Sequence, residues 1–556
     1  MRERDRCRKA GTCEDRTVHR GEFTLGDKAG RAHEADALPA LDETVDESDD
    51  GTSEGASAAD EKPINWLDRR INELVGFVKS HPGSLPFGVL CLVTAIWVVR
   101  FAQLVILRNN RYASFDFDAG IFGQAAWLAG HGGQFDTVRG LPLLGHHVTF
   151  GFYLFAPFSW LGINGQTVLN VAQVLALGAV PLVAYWVSRR LNIEPWFAAI
   201  VGLVCLLNFS MSWLAWELFH PEVFAIAPLI AAYGFAVRNE RRWYWILLLF
   251  AIIWKEDVAL AVAGLGVVLL IQKKDRRLAL FTIGFGLVWF AIATQVILPH
   301  FSPSGQAFYS EGFYGNLGGS FSGIAKTAVT HPSRIVQHLQ QSNASGHARD
   351  MWSTVGFVNL LAPETLIIAV PQFLANYLSV NNFTWDLHFH YVAIPLTATL
   401  LGFIIGLSRL RGSWRGFAAG VALVAALATG VAWSVAPYGK KYDGGIWPLA
   451  ANANQSDLDH AVSLVPKNAS VSASYHMVPH LDERRLIFSF PNPWKPKNWG
   501  IGDRDQRSPG DVDWIVAMKG DLGSDDKAVL DSVLADQNTW QVVYDTPAVV
   551  VAKRKT

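Results

Sequence analysis

Two carboxylates that follow the first long apolar stretch, Asp116 and Asp118, are the residues best suited to chemistry. They stand two residues apart between phenylalanines, so an extended segment would place both on one face. Such a pair could hold a divalent cation, Mg²⁺ or Mn²⁺, through its oxygen atoms, or one member could remove a proton from a hydroxyl nucleophile. Asp118 could instead be the N-cap of a helix that begins at Ala119, and both roles can coexist.

Further ionisable residues at the ends of apolar stretches are candidates for contacts to a substrate or its phosphate. Glu217 and His220 are spaced i, i+3 and can meet on one helical face. Pro221 suits the first position of the next helix, which gives this turn a purely structural alternative. The other candidates of this kind are His146, His147, Lys255, Glu256, Asp257, His388 and His390.

The charged run Lys255-Glu256-Asp257 indicates a recessed site. Only residues 243–254 separate it from a basic cluster at 238–242, and 12 helical residues rise about 18 Å, which is less than the bilayer thickness of about 30 Å. Charges at that depth are tolerated where they line a water-filled cavity or pair with one another. The run therefore predicts a polar cavity, or else a local Lys255 salt bridge that satisfies a tight turn.

The composition indicates which elements must position these residues. Of the 556 residues, 51% are hydrophobic and only 17% are charged, which is too apolar for a soluble protein of this length. Several stretches approach the roughly 20 apolar residues that cross a bilayer. A soluble enzyme, a nucleic-acid-binding protein and a secreted disulfide scaffold therefore fit poorly. The sequence predicts an α-helical polytopic membrane protein of the cell membrane.

Short loops rich in lysine and arginine mark the cytoplasmic side of such a protein. The chain crosses an even number of times between any two of them, which predicts 9 to 11 spans and places the candidate residues on the outer side. The four basic loops after the first span are 188–190, 238–242, 273–277 and 409–415. The predicted spans or hairpins are 85–107, 166–187, 195–216, 221–237, 243–272, 278–298, 391–407 and 416–433.

Two apolar segments do not form simple spans. Residues 148–161 are too short to cross and are interpreted as a membrane-surface or re-entrant helix. Residues 355–378 are interrupted by Pro363 and Pro371. They are interpreted as a broken hairpin that dips in from outside or as two short crossings.

The chain divides into three regions. Residues 1–62 are polar and acidic and predict a disordered cytoplasmic tail, because they cannot bury enough apolar surface to offset the entropy of ordering. Residues 63–437 form the multi-span region, with outer loops at 108–165 and 299–390. In residues 438–556, short β-rich runs alternate with helical stretches, which predicts a small extracytoplasmic α/β domain.

Several runs resemble a family of predicted bacterial and archaeal membrane proteins called DUF2079, which is grouped with the GT-C glycosyltransferases. The resemblance covers roughly residues 85–550. The runs are FDFDAGIFGQAAW at 115–127, GLPLLGHH at 140–147, FHPEVFAIAPL at 219–229, WKEDVALAVAGLGVVLL at 254–270 and SVSASYHMVPHLDERRLIFSFP at 470–491.

The GT-C resemblance implies a membrane transferase that moves a sugar from a polyprenyl-phosphate donor to an acceptor outside the cytoplasm. In such enzymes an acidic residue of the first outer loop is a general base or metal ligand, and the matching positions are Asp116 and Asp118. An Asp directly before the Ala-Gly-Ile-Phe run favours Asp118 as the base. The usual Gly-Asp-His of the second motif is Gly145-His146-His147 here, which removes a carboxylate.

These observations predict an inverting hexosyl or pentosyl transferase, since direct displacement inverts the anomeric carbon. Its expected partners are a lipid-linked sugar donor, membrane lipids and a glycan, lipid or protein acceptor of the cell envelope. Nothing indicates nucleic acid or a soluble cofactor, and a divalent cation is the one cofactor considered. The alternatives are a transporter or flippase for a lipid-linked or small polar substrate, which would use the same buried charges, and a non-catalytic scaffold.

Overall fold

The structure is a computed structural model. It describes residues 69, 70, 73, 76, 80, 81, 83–302, 313–319, 321–495 and 507–555. Every element below belongs to the unit Arg70–Thr556. The predicted disordered tail at 1–62 lies outside the described residues.

Several helices are long and apolar enough to cross a membrane, as the sequence predicts. Within the described ranges there are five, or six if one bent pair of helices counts as a span. The pair is Pro195–Leu207 and Phe209–Trp216, which meet at 45°. The break lies at Asn208, whose side chain accepts a hydrogen bond from the backbone N–H of Ser210 and so begins the second helix. The five long helices are Ser84–Asn110, Gly165–Arg190, Arg276–Phe301, His390–Arg409 and Gly412–Trp433.

The other predicted spans correspond to shorter helices, so fewer helices meet the length criterion than the 9 to 11 spans predicted. Pro221–Val237 and Val258–Ile271 are apolar, and Arg241–Ile252 has only 12 residues. These helices end early because ionisable residues occupy the turns between them. Because these helices are short, the ionisable residues in the turns between them lie below the membrane surface.

The helix His390–Arg409 is the centre of the bundle. The 18-residue apolar stretch of this helix is 89% buried inside the protein, whereas that of Arg276–Phe301 is 22% buried. The helix Ser84–Asn110 has two faces: Leu90 is buried, while Leu92 is 62% exposed. An apolar face of this kind on the rim of the bundle suits contact with lipid tails, and the buried central helix can carry residues into a protein-lined interior.

The basic loops meet at one end of the bundle. Arg190 pairs with Glu240 at 2.7 Å, and Arg415 pairs with Glu194 at 2.6 Å. Glu364 joins them, because it pairs with Arg409 and accepts a hydrogen bond from the Gln272 amide at 2.8 Å. The turn at Glu364 therefore reaches the end predicted to be cytoplasmic, which favours the two short crossings for residues 355–378.

The remaining helical segments lie between the long helices or after the last of them. Residues 148–161 form the 3₁₀ turn Phe150–Phe155 and the five-residue helix Ala156–Trp160, which is too short to cross. The interrupted segment 355–378 forms two 3₁₀ turns followed by one helix. The other helices are Ile121–Gly130, Leu143–His146, Leu298–Phe301, Phe321–Thr330, Pro332–Gln341, Ala344–Ser353, Leu366–Tyr377, Gln455–Ser463 and Ser524–Ala535.

The C-terminal region contains the predicted α/β layer. The strands that the structure describes are β1 (Phe135–Asp136), β2 (Leu141–Pro142), β3 (Val471–Ala473), β4 (Ile487–Ser489), β5 (Trp514–Met518), β6 (Trp540–Asp545) and β7 (Val549–Arg554). Strands β1 and β2 form a hairpin in the first loop, and the other five form one sheet in the order β4-β3-β5-β7-β6. Strand β3 is parallel to β4 and β5, while β7 is antiparallel to β5 and β6.

This sheet shares a hydrophobic core with the loop that follows the first long helix. Ile121 and Phe122 belong to the same buried cluster as Val478 and Val516. The Gln124 side chain crosses the junction, since its amide N–H group donates to the backbone oxygen of Arg484 at 3.2 Å. The α/β region is therefore integrated with the first loop and does not hang beside it.

Replacing Gly123 by alanine is expected to loosen this junction. A Cβ atom at Gly123 would lie 1.9 Å from Asp482 Oδ2 and 2.3 Å from Gln166 Nε2, two buried groups that hydrogen-bond to each other. Overpacking of this kind costs about 1–3 kcal/mol, so the apparent melting temperature in nanodiscs should fall. Gly284→Ala is the matched control, because a Cβ atom there meets nothing within 4 Å. Equal melting temperatures for the two variants would contradict the close packing.

Candidate functional site

The turn that carries both aspartates is not extended. Asp116–Gly120 is a π-helical turn that leads into the helix Ile121–Gly130, and neither N-terminus has a side-chain capping hydrogen bond. The prediction of two carboxylates on one face of an extended segment is therefore wrong, and Asp118 is not an N-cap. A Cβ atom at Gly120 would lie 2.5 Å from Val478 Cγ1, so the turn is shaped by its contact with the C-terminal region.

Asp116 faces the sheet. Its side chain is buried, and its Oδ2 accepts a hydrogen bond from the hydroxyl of Ser489 at the end of β4. Burial raises the pKa of Asp116 to about 7, and nearby Asp521 raises it further while the Ser489 hydroxyl lowers it. Asp116 thus fastens the first loop to the sheet.

The protonation of Asp116 predicts a pH effect on stability. An unfolded aspartate ionises near pH 3.9, whereas in the folded protein the pKa is about 7. The folded state therefore keeps a proton that the unfolded state loses, so this stabilisation is present below about pH 4 and is lost as the pH rises through 7. The effect is on the order of 4 kcal/mol.

Asp116→Asn isolates this contribution, since asparagine does not ionise and its side-chain oxygen still accepts from Ser489. The stability of the variant relative to wild type should rise between pH 4 and pH 7, as measured by unfolding in mixed micelles. Parallel pH curves would contradict a raised pKa at Asp116.

Asp118 faces a different group of residues, which we call the outer cluster. It lies at the end of the bundle opposite the basic loops and joins the first loop, the turn after Trp216, the turn after Trp254 and the start of the central helix. Its members are Asp118, Glu217, His220, Glu222, Lys255 and His390.

Two stacked histidines form the middle of the outer cluster. The rings of His220 and His390 have centroids 3.9 Å apart and an interplanar angle of 15°. His220 Nε2 lies 3.6 Å from Asp118 Oδ1 and 3.8 Å from Glu217 Oε1. His390 Nδ1 lies 2.7 Å from Glu217 Oε1, and its Nε2 lies 3.8 Å from Glu222 Oε1. Three separate segments therefore converge on two imidazoles.

Lys255 completes the outer cluster from the third turn. Its ammonium group lies 2.8 Å from Glu222 Oε1 and 3.6 Å from Asp257 Oδ2. The partner at 2.8 Å belongs to the neighbouring hairpin, so the lysine links two turns as well as satisfying its own. A salt bridge within its own turn, the structural alternative, therefore does not account for all the contacts of Lys255.

Asp118 is the most accessible carboxylate of the outer cluster. Its side chain is 17% exposed, whereas those of Glu217 and Glu222 are 3% and 5% exposed. A substrate that reaches this region would meet Asp118 before the other two carboxylates.

Burial and charge shift the protonation of the Glu217–His220 pair. Burial raises the pKa of Glu217 to about 8, against the lowering effect of His220. Burial alone would lower the pKa of His220, yet Glu217 and Asp118 raise it to about 9. Both groups therefore hold a proton near neutral pH, and the site can hold or release protons in that range.

Several buried polar atoms near the outer cluster have no hydrogen-bond partner among the described residues. They are Glu217 Oε2, His220 Nε2 and Asp257 Oδ1. Buried polar atoms in native proteins are nearly always satisfied, so each such atom calls for a water, ion or ligand. A group bound at the outer cluster could satisfy these atoms.

The remaining candidates lie beside the outer cluster or away from it. His147 donates to Glu256 Oε1 at 2.9 Å, and His146 stacks against Phe122 with centroids 6.1 Å apart. Both histidines line a small pocket next to Phe122. His388 turns away, since it pairs with Asp386 at 2.6 Å. Thus His388 and His390 do not face one side.

Sequence reasoning missed two residues of this region. Glu222 bridges Lys255 and His390, and its only signal is its place two residues after His220. Arg108 ends the first long helix and lies 4.1 Å over the ring of Trp216. Lysine and arginine are enriched on the cytoplasmic side of membrane proteins, so an arginine at the outer end of a span is unusual. That unusual position was the signal in the sequence that could have identified Arg108.

Within the part of the chain that the structure describes, one group of three residues could hold a metal ion. Ligand atoms of Glu217, His220 and His390 all lie within 4.8 Å of one another. Asp116 and Asp118 do not converge in this way, because one binds Ser489 and the other lies near His220.

Comparison with known proteins gives a family but no characterised relative. The model of a family described as "Predicted membrane protein (DUF2079)" matches residues 111–551. No curated protein matches the chain. The chain is similar to the crystal structure of ArnT from Cupriavidus metallidurans bound to undecaprenyl phosphate, at 13% identity and a TM-score of 0.45, covering 82% of this chain and 97% of that one. It is also similar to the arabinofuranosyltransferase AftD from Mycobacteria, at 13% identity and a TM-score of 0.42, covering 83% and 40% respectively.

Proposed function

Because the chain belongs to the DUF2079 family of predicted membrane proteins, we propose that its outer cluster is the active site of a membrane glycosyltransferase. The enzyme takes a sugar from a polyprenyl-phosphate donor and adds it to an extracytoplasmic acceptor of the cell envelope. This is the chemistry that the GT-C resemblance of the first loop implies.

The observation that carries this proposal is the convergence of ionisable side chains from four segments at the ends of apolar helices. Ionisable groups at such positions are expensive and mark functional sites. A lipid-linked donor needs a base for the acceptor, cationic groups for its phosphate and an apolar surface for its chain. The outer cluster supplies the first two through Asp118 and Lys255, and the exposed apolar faces of the surrounding helices suit the third.

In the proposed reaction, the acceptor hydroxyl attacks the anomeric carbon of the donor sugar. A new glycosidic C–O bond forms, the bond from that carbon to the phosphate oxygen breaks, and polyprenyl phosphate leaves with the electron pair. Asp118 accepts the hydroxyl proton, while Lys255 and the histidines stabilise the charge on the leaving phosphate. A single displacement inverts the anomeric carbon.

The roles of the other candidates follow from their contacts. Asp116 positions the turn of Asp118 through Ser489, and Asp257 compensates the charge of Lys255. His147 and Glu256 form the adjoining wall, with His146 against Phe122. His388 has no contact with the outer cluster and is given no role in it.

The proposal is tested with the full chain in nanodiscs and a panel of radiolabelled polyprenyl-phosphate sugars with envelope acceptors. Release of polyprenyl phosphate coupled to glycoside formation, with the inverted configuration by NMR, is the expected result. A retained configuration would overturn single displacement. Movement of intact lipid-linked sugar across a liposome bilayer without cleavage would establish the transporter alternative, and binding without turnover or movement would establish the scaffold.

A further inference from the structure

Glu217, His220 and His390 bring one carboxylate and two imidazoles to a single buried point. Their side chains are 3%, 2% and 14% exposed, and one ligand atom from each lies within 4.8 Å of the other two. We propose that these three residues bind one transition-metal ion of the zinc class.

The distances suit such an ion. Zinc binds nitrogen and carboxylate oxygen at about 2.0–2.2 Å, which places tetrahedral ligand atoms about 3.3–3.6 Å apart. In the structure, Glu217 Oε1 lies 2.7 Å from His390 Nδ1 and 3.8 Å from His220 Nε2. Small side-chain rotations therefore suffice to admit an ion, and no backbone movement is needed.

Two atoms of the triad have no hydrogen-bond partner on any residue that the structure describes, although His220 Nε2 lies 3.6 Å from Asp118 Oδ1. Glu217 Oε2 and His220 Nε2 are buried and accept or donate no hydrogen bond within the described part of the chain. Leaving such buried atoms unsatisfied is unfavourable. A cation between them would satisfy both, which is a reason for the arrangement that hydrogen bonds inside the cluster do not provide.

The surroundings orient the histidines as ligands. His220 Nδ1 lies 3.4 Å from the backbone oxygen of Leu218, which leaves Nε2 free to face the triad. Leu218 has φ 74, an uncommon value for a bulky residue, so this carbonyl is held in place at a cost in backbone energy. On the other ring, Glu222 lies 3.8 Å from His390 Nε2. Carbonyl and carboxylate partners on the second ring nitrogen are usual behind metal-bound histidines.

The ligand types decide the class of metal. Imidazole nitrogens suit zinc and neighbouring transition metals, whereas Mg²⁺ and Ca²⁺ prefer oxygen ligands throughout. Three protein ligands also leave one tetrahedral position open, as in catalytic zinc sites. In the proposed transferase, this position would take a phosphate oxygen of the donor; that step rests on the proposed function, whereas the metal site does not.

The test measures metal binding directly on the full chain in nanodiscs after removal of metal with a chelator. ZnCl₂ is titrated by calorimetry, and bound zinc is counted by mass spectrometry for wild type, His390→Ala, Glu217→Gln and His388→Ala. His388→Ala is the matched control, because this histidine lies two residues from His390 but pairs with Asp386.

Wild type and the control should bind one zinc per chain in the presence of excess Mg²⁺. The two ligand variants should lose roughly tenfold or more in affinity. If a variant fails to fold, the visible spectrum of Co²⁺-loaded wild type reports nitrogen and oxygen ligands without any substitution. No zinc binding by wild type, or an equal loss in His388→Ala, would overturn the site.

Donor binding separates this inference from the proposed function. Zinc-loaded protein should bind polyprenyl phosphate more tightly than stripped protein. Zinc binding without any transfer activity would overturn the transferase and leave the metal site standing. Transfer activity by protein that binds no zinc would do the reverse.

Discussion

Asp118→Asn should abolish sugar transfer while leaving the donor lipid bound. A general base contributes about 10²- to 10⁴-fold to a rate, so kcat should fall by that factor when the carboxylate becomes an amide that cannot accept the proton. The substitution is isosteric, and the side chain is 17% exposed, so folding should survive. The measurement is single-turnover release of polyprenyl phosphate in nanodiscs, with donor binding followed separately.

Asp386→Asn is the matched control for this experiment. Asp386 is another partly exposed aspartate beside a histidine, since it pairs with His388, but it lies outside the outer cluster. Its rate should stay close to wild type. If Asp118→Asn retains its rate, or if both variants lose activity equally, Asp118 is not the base.

Lys255→Met should destabilise the protein more than any surface charge substitution. The ammonium group is 8% exposed and lies 2.8 Å from Glu222, which is 5% exposed. Removing one partner of a buried pair leaves an uncompensated charge, at a cost of about 3–5 kcal/mol. Unfolding by SDS in mixed micelles, followed by tryptophan fluorescence, measures the change in free energy.

A second substitution distinguishes the ion pair from simple packing. Lys255→Met with Glu222→Gln removes both charges of the closest pair and should recover part of the lost stability, since Asp257 still lacks its lysine. Lys519→Met provides the scale, because Lys519 and Asp545 form a surface pair with side chains 41% and 57% exposed, worth about 0–1 kcal/mol. A double variant as unstable as the single one would show that the charge is not the cause.

The elements of the fold follow from local sequence patterns, while the partners across the site do not. Basic loops and apolar runs were enough to predict the long helices, and short β-rich runs were enough to predict the C-terminal α/β region. The π-helical turn at Asp116–Gly120 could not be predicted, because its shape depends on Val478 and Ser489, which are far away in the chain. Local preferences contain no record of such contacts.

For the same reason, spacing along the chain did not predict which candidate residues lie together in the structure. Spacing grouped Asp116 with Asp118 and His388 with His390, but in each pair one member joins the outer cluster and the other binds elsewhere. The expected depth of a residue in the membrane predicted membership of the site better than its spacing along the chain did. The argument from the short helix before Lys255 led to a group that is indeed buried and paired.

The contact between Asp116 and Ser489 has a consequence for biosynthesis. The two residues are 373 positions apart, and at about 5–20 residues per second a ribosome needs roughly 20–75 s to add the second after the first. During that interval the helices can already enter the membrane, while the turn that bears Asp118 still lacks the strand that shapes it. Membrane insertion and completion of the site are thus separate events in time, and a nascent chain stalled before β4 would be an inserted protein without a finished site.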